Sequence, residues 1–187
     1  MRASVHGSCT TAPGEIQVSN MREIPLTVAI PFFNSEKTLH YAIESVLSQE
    51  FQDYELLLVN DGSSDESVDI ARRYCTEPRV RLIDDRKNYG LAPRLNQIAA
   101  EARGTFLARM DSDDIMHPHR LARQMDFLTK RKEIDLLGTS IYFIDGSYRI
   151  TGKKHTALVR LCRKFSYYSL FHPTVMGRTK CAGSAEI

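Results

Sequence analysis

From Pro25 onward, short apolar runs alternate with amphipathic stretches. Residues 26–30 (LTVAI), fenced by Pro25 and Pro31, predict a strand buried on both faces, too short for a helix. Ser35 then offers an N-cap to a helix whose Leu39, Ile43, Val46 and Leu47 share one face. Residues 55–59 (ELLLV) predict a second buried strand that stops at Asn60-Asp61-Gly62, and Ser64 offers a cap to a helix with Val68, Ala71 and Cys75 in phase. A third strand is predicted at 80–83. Leu91, Leu95, Ile98, Ala99 and Ala102 then mark a third helix with Gly104 as its stop. Residues 105–109 predict a fourth strand. A helix from near Pro118 carries Leu121, Met125 and Leu128, and 134–144 reads as extended chain.

Strand and helix thus alternate four times at short spacing, which implies an α/β domain with a parallel sheet and helices on both faces. On such sheets ligands bind outside the carboxyl ends of the strands. Three of the predicted strands end in polar clusters: Phe33-Asn34-Ser35, 60–65 (NDGSSD) and 111–114 (DSDD). Parallel topology gathers all three on one rim.

Composition narrows the class without naming a chemistry. The chain has 187 residues, 42% of them hydrophobic, enough for a real core and too many for a disordered protein. No apolar run reaches the ~18 residues of a membrane span, and no apolar stretch before Ala12 resembles a secretory signal. Cys9, Cys75, Cys162 and Cys181 lack CxxC spacing and read as reduced thiols of a cytoplasmic protein. Charge is unevenly divided. Residues 146–187 hold eight Lys or Arg and one acid, Glu186, whereas the rest holds 17 basic and 22 acidic groups. This division sets a basic segment at 146–187 apart from a main domain at 24–145, while residues 1–23, rich in Ser, Thr and Gly and without periodicity, read as a loose N-terminal tail. Within the last, 156–165 (TALVRLCRKF) reads either as a solvated basic face or as a contact for anionic lipid or a phosphorylated acceptor.

The candidate chemistry centres on Asp111, Asp113 and Asp114. At ~5 Å each pair would repel by about 3 kcal/mol at an effective dielectric of 20. Helix capping does not explain them, because Pro118 suits the first helical position and makes His117 the cap, with the acids lying too early. An EF-hand loop fails because Met116 stands where glycine is required. A well-solvated turn remains open, as does a hard cation bridging the carboxylates to a phosphate-bearing ligand. No GxGxxG or GxxxxGK[ST] motif is present, so dinucleotide and P-loop readings fail. Asp61 is either ordinary turn chemistry or an acceptor for a base N–H or ribose hydroxyl. Arg94 and Asn96 are either a solvated helix face or nucleotide contacts. His117 and His119, flanking Pro118, read as surface residues rather than ligands.

Four stretches in order, 27–67 (TVAIPFFNSEKTLHYAIESVLSQEFQDYELLLVNDGSSDES), 88–104 (NYGLAPRLNQIAAEARG), 106–121 (FLARMDSDDIMHPHRL) and 171–176 (FHPTVM), together resemble the family 2 inverting glycosyltransferases. The resemblance implies a glycosyltransferase A fold: an α/β, mostly parallel, Rossmann-like sheet with flanking helices. It also implies a UDP-, GDP- or dTDP-sugar donor, a Mn²⁺ or Mg²⁺ cofactor, a saccharide or lipid-linked acceptor, and a role in polysaccharide biosynthesis rather than nucleic-acid binding. By position, Pro31 and Asn34 would lie in the first donor loop with Glu36 beside them. Asp61 would contact the base and Arg94 would lie near the nucleotide. Asp111 would hold ribose or sugar, Asp113 would coordinate the metal, and His172 belongs to a His-Pro element flanking the site. The family pattern continues to a Glu-Asp pair whose Asp is the general base. Glu186, the single acid after Asp145, does not match it, so the general base is unassigned and 146–187 reads as an incomplete acceptor side. The alternative is a nucleotide-sugar binding module without turnover. A phosphatase with an Asp-x-Asp pair is disfavoured, because that pair would follow the first strand and here follows the fourth. The expected location is the cytoplasm, peripheral to a membrane surface.

Overall fold

The computed structural model of the chain describes residues 24–147, 149–155 and 172–182. The β–α alternation is realised as β1 (Leu26–Phe32), α1 (Leu39–Leu47), β2 (Tyr54–Asn60), α2 (Ser67–Tyr74), β3 (Val80–Ile83), α3 (Leu91–Glu101), β4 (Phe106–Arg109) and α4 (Arg120–Lys130). Past α4 come β5 (Leu136–Leu137), a separate hairpin of β6 (Ile141–Ile144) and β7 (Ile150–Lys154), β8 (Met176–Arg178) and the short α5 (Thr179–Ala182). The six-stranded sheet has the order β3-β2-β1-β4-β8-β5; its first four strands are parallel, and β8 runs antiparallel to both β4 and β5.

All seven residues of both β1 and β2 are buried, as expected of parallel strands covered on both faces. Leu26, Val28, Ile30 and Phe32 of β1 pack with Leu56 and Leu58 of β2 against α1, α2 and α4, which supply Leu39, Ile43, Ala71, Leu121 and Leu128. On the other face Ala29, Leu57 and Val59 meet Ile98 and Leu95 of α3. Each such fully buried aliphatic side chain contributes about 1.5–3 kcal/mol.

Local boundaries differ from the expected ones for physical reasons. β1 runs past Pro31 to Phe32. The Phe32 carbonyl accepts from Asp61 N on the β2 side and the Ala29 carbonyl from Met110 N on the β4 side. By alternation, the N–H that Pro31 lacks falls toward β4, where the β1–β4 register ends at Ala29 and Arg109. Ser35 does not cap α1: its carbonyl accepts from Thr38 N and Leu39 N, and the helix opens at Leu39. At α2 the Asp65 carboxylate, not Ser64, accepts from Ser67 N at 3.0 Å. α4 begins at Arg120 and His119 gives it no side-chain cap; His117 Nδ1 accepts from His119 N at 3.3 Å and its carbonyl from Arg120 N at 2.9 Å, just ahead of the helix. Gly104 is not a left-handed helix stop. α3 ends at Glu101, and a Cβ on Gly104 would lie 2.3 Å from Thr27 N, so glycine is needed there for close approach to β1. The same corner is fastened by Thr27 Oγ1, which donates to Glu55 Oε1 at 2.7 Å and accepts from Gly104 N at 2.8 Å.

Among the described residues no helix is long and apolar enough to cross a membrane. The tail 1–23 and the basic tract 156–165 lie outside the described residues.

Candidate functional site

Strands β1, β2 and β4 end side by side, with Phe32 in register with Asn60 and Ala29 with Arg109. Their following loops are tied to one another. Asn34 holds φ +48, a left-handed conformation that asparagine tolerates, and its Oδ1 accepts from Ser64 N at 2.9 Å. The Asn34 N–H donates to Ser63 Oγ (3.0 Å), Ser35 N to Ser67 Oγ (2.7 Å), and Glu36 N to Asp65 Oδ2 (3.0 Å). The Ser35 and Ser112 hydroxyls, 2.8 Å apart, join the first loop to the acidic one. Exposed Glu36 also accepts from Glu66 N at 3.4 Å. Desolvation raises the Asp65 carboxyl, but its hydrogen bonds from Ser67 and Glu36 outweigh that and hold it below the ordinary range. The rim is therefore one hydrogen-bonded unit. Pro31, Asn34 and Glu36 stand at its first strand and loop.

Asp61 is only 6% exposed. Its Oδ1 accepts from Tyr89 N (2.8 Å) and Arg94 Nε (2.9 Å), and its Oδ2 from Gly90 N (3.0 Å). Three of roughly four acceptor positions on the carboxylate are thus used, leaving one on Oδ2. Gly62, at φ +77, is the residue that lets this turn form: a Cβ there would meet Asn88 N and Lys87 C at 2.8 Å. Arg94 is not a solvated helix face. It is 1% exposed and also donates to Asp85, Gln97 and the Lys87 carbonyl. Asn60 is fixed too, donating to Asp84 Oδ1 (2.9 Å), which in turn pairs with Arg72 (3.0 Å).

The acidic loop has a different character. Asp111 Oδ1 accepts from Arg109 Nη2 at 2.9 Å and is partly exposed. Asp113 is exposed, with no partner among the described residues. Although Asp114 is exposed as a residue, partial desolvation of its carboxyl pushes it up to about 6, and the charges of Asp111 and Asp113 push the same way against Arg120 and Arg109. Burial draws Arg120 down to about 10; it donates to the Arg109 carbonyl at 2.9 Å and to Gln124 Oε1 at 3.0 Å. Gln124 in turn donates to the Thr174 carbonyl (2.9 Å), and Arg109 N to the Val175 carbonyl (2.9 Å). The backbone of His172 lies in the 3-10 turn His172–Thr174 docked here, beside the end of β4; its side chain lies outside the described residues. His117 and His119 are surface residues. Their rings are 5.2 Å apart, and His119 Nδ1 sits 2.6 Å from Glu50 Oε1.

Among the described residues no group of three or more His, Cys, Asp or Glu is arranged to hold a metal ion unaided. One unpartnered carboxylate beside a crowded pair nonetheless fits Mg²⁺ or Mn²⁺, which commonly take one or two protein carboxylates and complete their shell with phosphate and water. Sequence reasoning missed the segment after β3. Residues 84–88 (DDRKN) form a fourth polar cluster at the same edge, legible as such by the criterion that picked out the other three.

A family model described as "Glycosyl transferase family 2" matches residues 27–183. EpsE of Bacillus subtilis (strain 168), which carries a glycosyltransferase name, is 37% identical over 122 residues, covering 64% of this chain and 44% of that protein. The structure of Staphylococcus aureus TarS 1–349 in complex with UDP-GlcNAc superposes with a TM-score of 0.68 at 23% identity, covering 83% of this chain and 45% of that one. The mannosyltransferase PcManGT from Pyrobaculum calidifontis, in complex with GDP-Man and Mn²⁺, superposes at 0.57 and 21% identity, covering 61% and 34%. The chain spans less than half the length of each of these proteins, and at these identities the two structures speak for the fold.

Proposed function

Because the chain belongs to glycosyl transferase family 2, we propose that the rim binds a nucleotide-diphosphate sugar and serves its transfer, with inversion, to a saccharide or lipid-linked acceptor. The observation that carries this reading is the joining of the β1, β2 and β4 loops into one unit, with a buried carboxylate, Asp61, at one side and the exposed Asp113 at the other. Asp61 accepts from the base through its remaining Oδ2 position. Asp111, oriented by Arg109, takes a hydroxyl of ribose or sugar. Asp113 would hold Mn²⁺ or Mg²⁺, which would supply positive charge to the departing diphosphate. Pro31, Asn34 and Glu36 shape the donor loop, and the His172 turn flanks it. The attacking hydroxyl must lose its proton to a base, and none of the rim carboxylates is assigned that part. The ligands named for TarS (UDP-GlcNAc) and PcManGT (GDP-Man and Mn²⁺) agree in class with this donor.

A thermal-shift panel of UDP, GDP and dTDP, each with and without Mn²⁺, tests the reading. One nucleotide raising Tm in a Mn²⁺-dependent way is the expected result. No shift from any of them would overturn it.

A further inference from the structure

Arg94 has five N–H donors, and the structure accounts for all of them. Nε goes to Asp61 (2.9 Å), Nη1 to Asp85 Oδ2 (3.1 Å) and Gln97 Oε1 (2.7 Å), and Nη2 to Asp85 Oδ1 (2.7 Å) and the Lys87 carbonyl (2.5 Å). At 1% exposure, with no donor to spare, this side chain meets a ligand only through its partners. Those partners are the carboxylate and the backbone at the base end of the proposed donor site. Arg94 holds Asp61, and Asp61 holds the N–H groups of Tyr89 and Gly90. The segment needs holding: Arg86 sits at φ +57, a left-handed conformation disfavoured for a side chain of that size. Tyr89, with its ring centroid 4.9 Å from Arg94 Cζ, is 51% exposed and borders the same wall.

Asp85 is the outer end of this chain of contacts. Its two oxygens grip both Nη atoms of Arg94 side by side, the fork geometry that fixes the plane of a guanidinium. That plane sets where Nε points, and hence how Asp61 is presented. The Asp85 side chain is itself 38% exposed, so truncating it opens no cavity in the core. Its hydrogen bonds from Arg94 hold the carboxyl down to about 2, so it stays ionised at every working pH. We propose that Asp85 is a positioning residue for nucleobase selectivity, acting through Arg94 on Asp61 and the 87–90 backbone. This rests on the donor-site reading above.

The test compares wild type, Asp85→Asn and Asp85→Ala by calorimetry in Mn²⁺, using UDP, GDP, dTDP and inorganic pyrophosphate, which keeps the diphosphate and lacks the base. Asp85→Ala should weaken the preferred nucleoside diphosphate about ten-fold, as expected for a misplaced contact group. It should also narrow the spread among the three bases and leave pyrophosphate unmoved. Asp85→Asn, which keeps one acceptor, should fall between. Equal weakening of nucleotides and pyrophosphate would show a merely structural residue and overturn the proposal, as would unchanged selectivity in Asp85→Ala. Wild type that binds no nucleoside diphosphate would instead remove the donor-site reading, and this proposal with it.

Discussion

The two sides of the rim are built on opposite electrostatic terms. Around Asp61 every charge is answered: the buried Arg94 guanidinium, the buried Asp61 carboxylate, the part-exposed Asp85 carboxylate and two backbone N–H groups close on one another. Around Asp111, Asp113 and Asp114 three acids stand within four residues, one has no partner among the described residues, and desolvation together with the charges of Asp111 and Asp113 raises the Asp114 carboxyl. The first wall is complete as folded. The second carries more acid than base, and in the proposed function it would gain from a cation brought with the ligand. On that proposal one side would recognise by preset shape, the other by charge that arrives on binding.

Breaking the closed wall should have the largest effect. Arg94→Met leaves Asp61 and Asp85 without their shared cation, one of them buried. It should cost about 3–5 kcal/mol in a urea unfolding curve. A loss below ~1 kcal/mol would mean that the network is not what holds this wall. Asp61→Asn keeps shape but removes the charge that assists all three hydrogen bonds and sets an NH2 where one acceptor oxygen stood, and should cost about 1.5–3 kcal/mol by the same measurement.

The open wall should answer to pH instead. Asp114 titrates near 6 in the fold against an ordinary value of 3.8. Its contribution to stability is therefore complete below about pH 4 and lost as pH rises through 6. Asp114→Asn should remove that slope and be the more stable protein at pH 7.5, by about 1 kcal/mol once solvent screening is allowed for. At pH 4 the two should be equal. Parallel Tm–pH profiles of the two proteins would refute the assignment. As the smallest effect, Asp126→Ala removes the exposed pair with Lys130 (2.6 Å), away from both walls. It should change stability by no more than ~0.5 kcal/mol and nucleotide binding not at all; a larger change in denaturation midpoint would mean the contrast is not confined to the rim.

Much of the fold is written in short-range pattern. The runs at β1 and β2 are apolar throughout because both faces of those strands are covered, and the polar residues that follow them mark the rim. Pattern fails where a residue's meaning depends on a distant partner. Gly104 reads as a helix stop, yet it answers to Thr27, far away in the chain. Arg94 on a helix reads alike whether it faces water or fills five hydrogen bonds, and Asp85 has no periodicity to announce it. β8 is three residues long, and its place between β4 and β5 is set by pairing that no local propensity encodes. The three acids of the open wall were legible as a problem of repulsion. Their assignment to separate duties came from family resemblance and stays a proposal.

The most direct test is calorimetric titration of wild type and Asp113→Asn with the best-bound nucleoside diphosphate, each with and without Mn²⁺. In wild type Mn²⁺ should strengthen binding at least about ten-fold, roughly 1.4 kcal/mol. In Asp113→Asn that gain should vanish while the metal-free affinity stays within two-fold or so, since the Asp61 wall is untouched. Equal wild-type affinity with and without Mn²⁺, or a full Mn²⁺ gain in Asp113→Asn, would contradict the account.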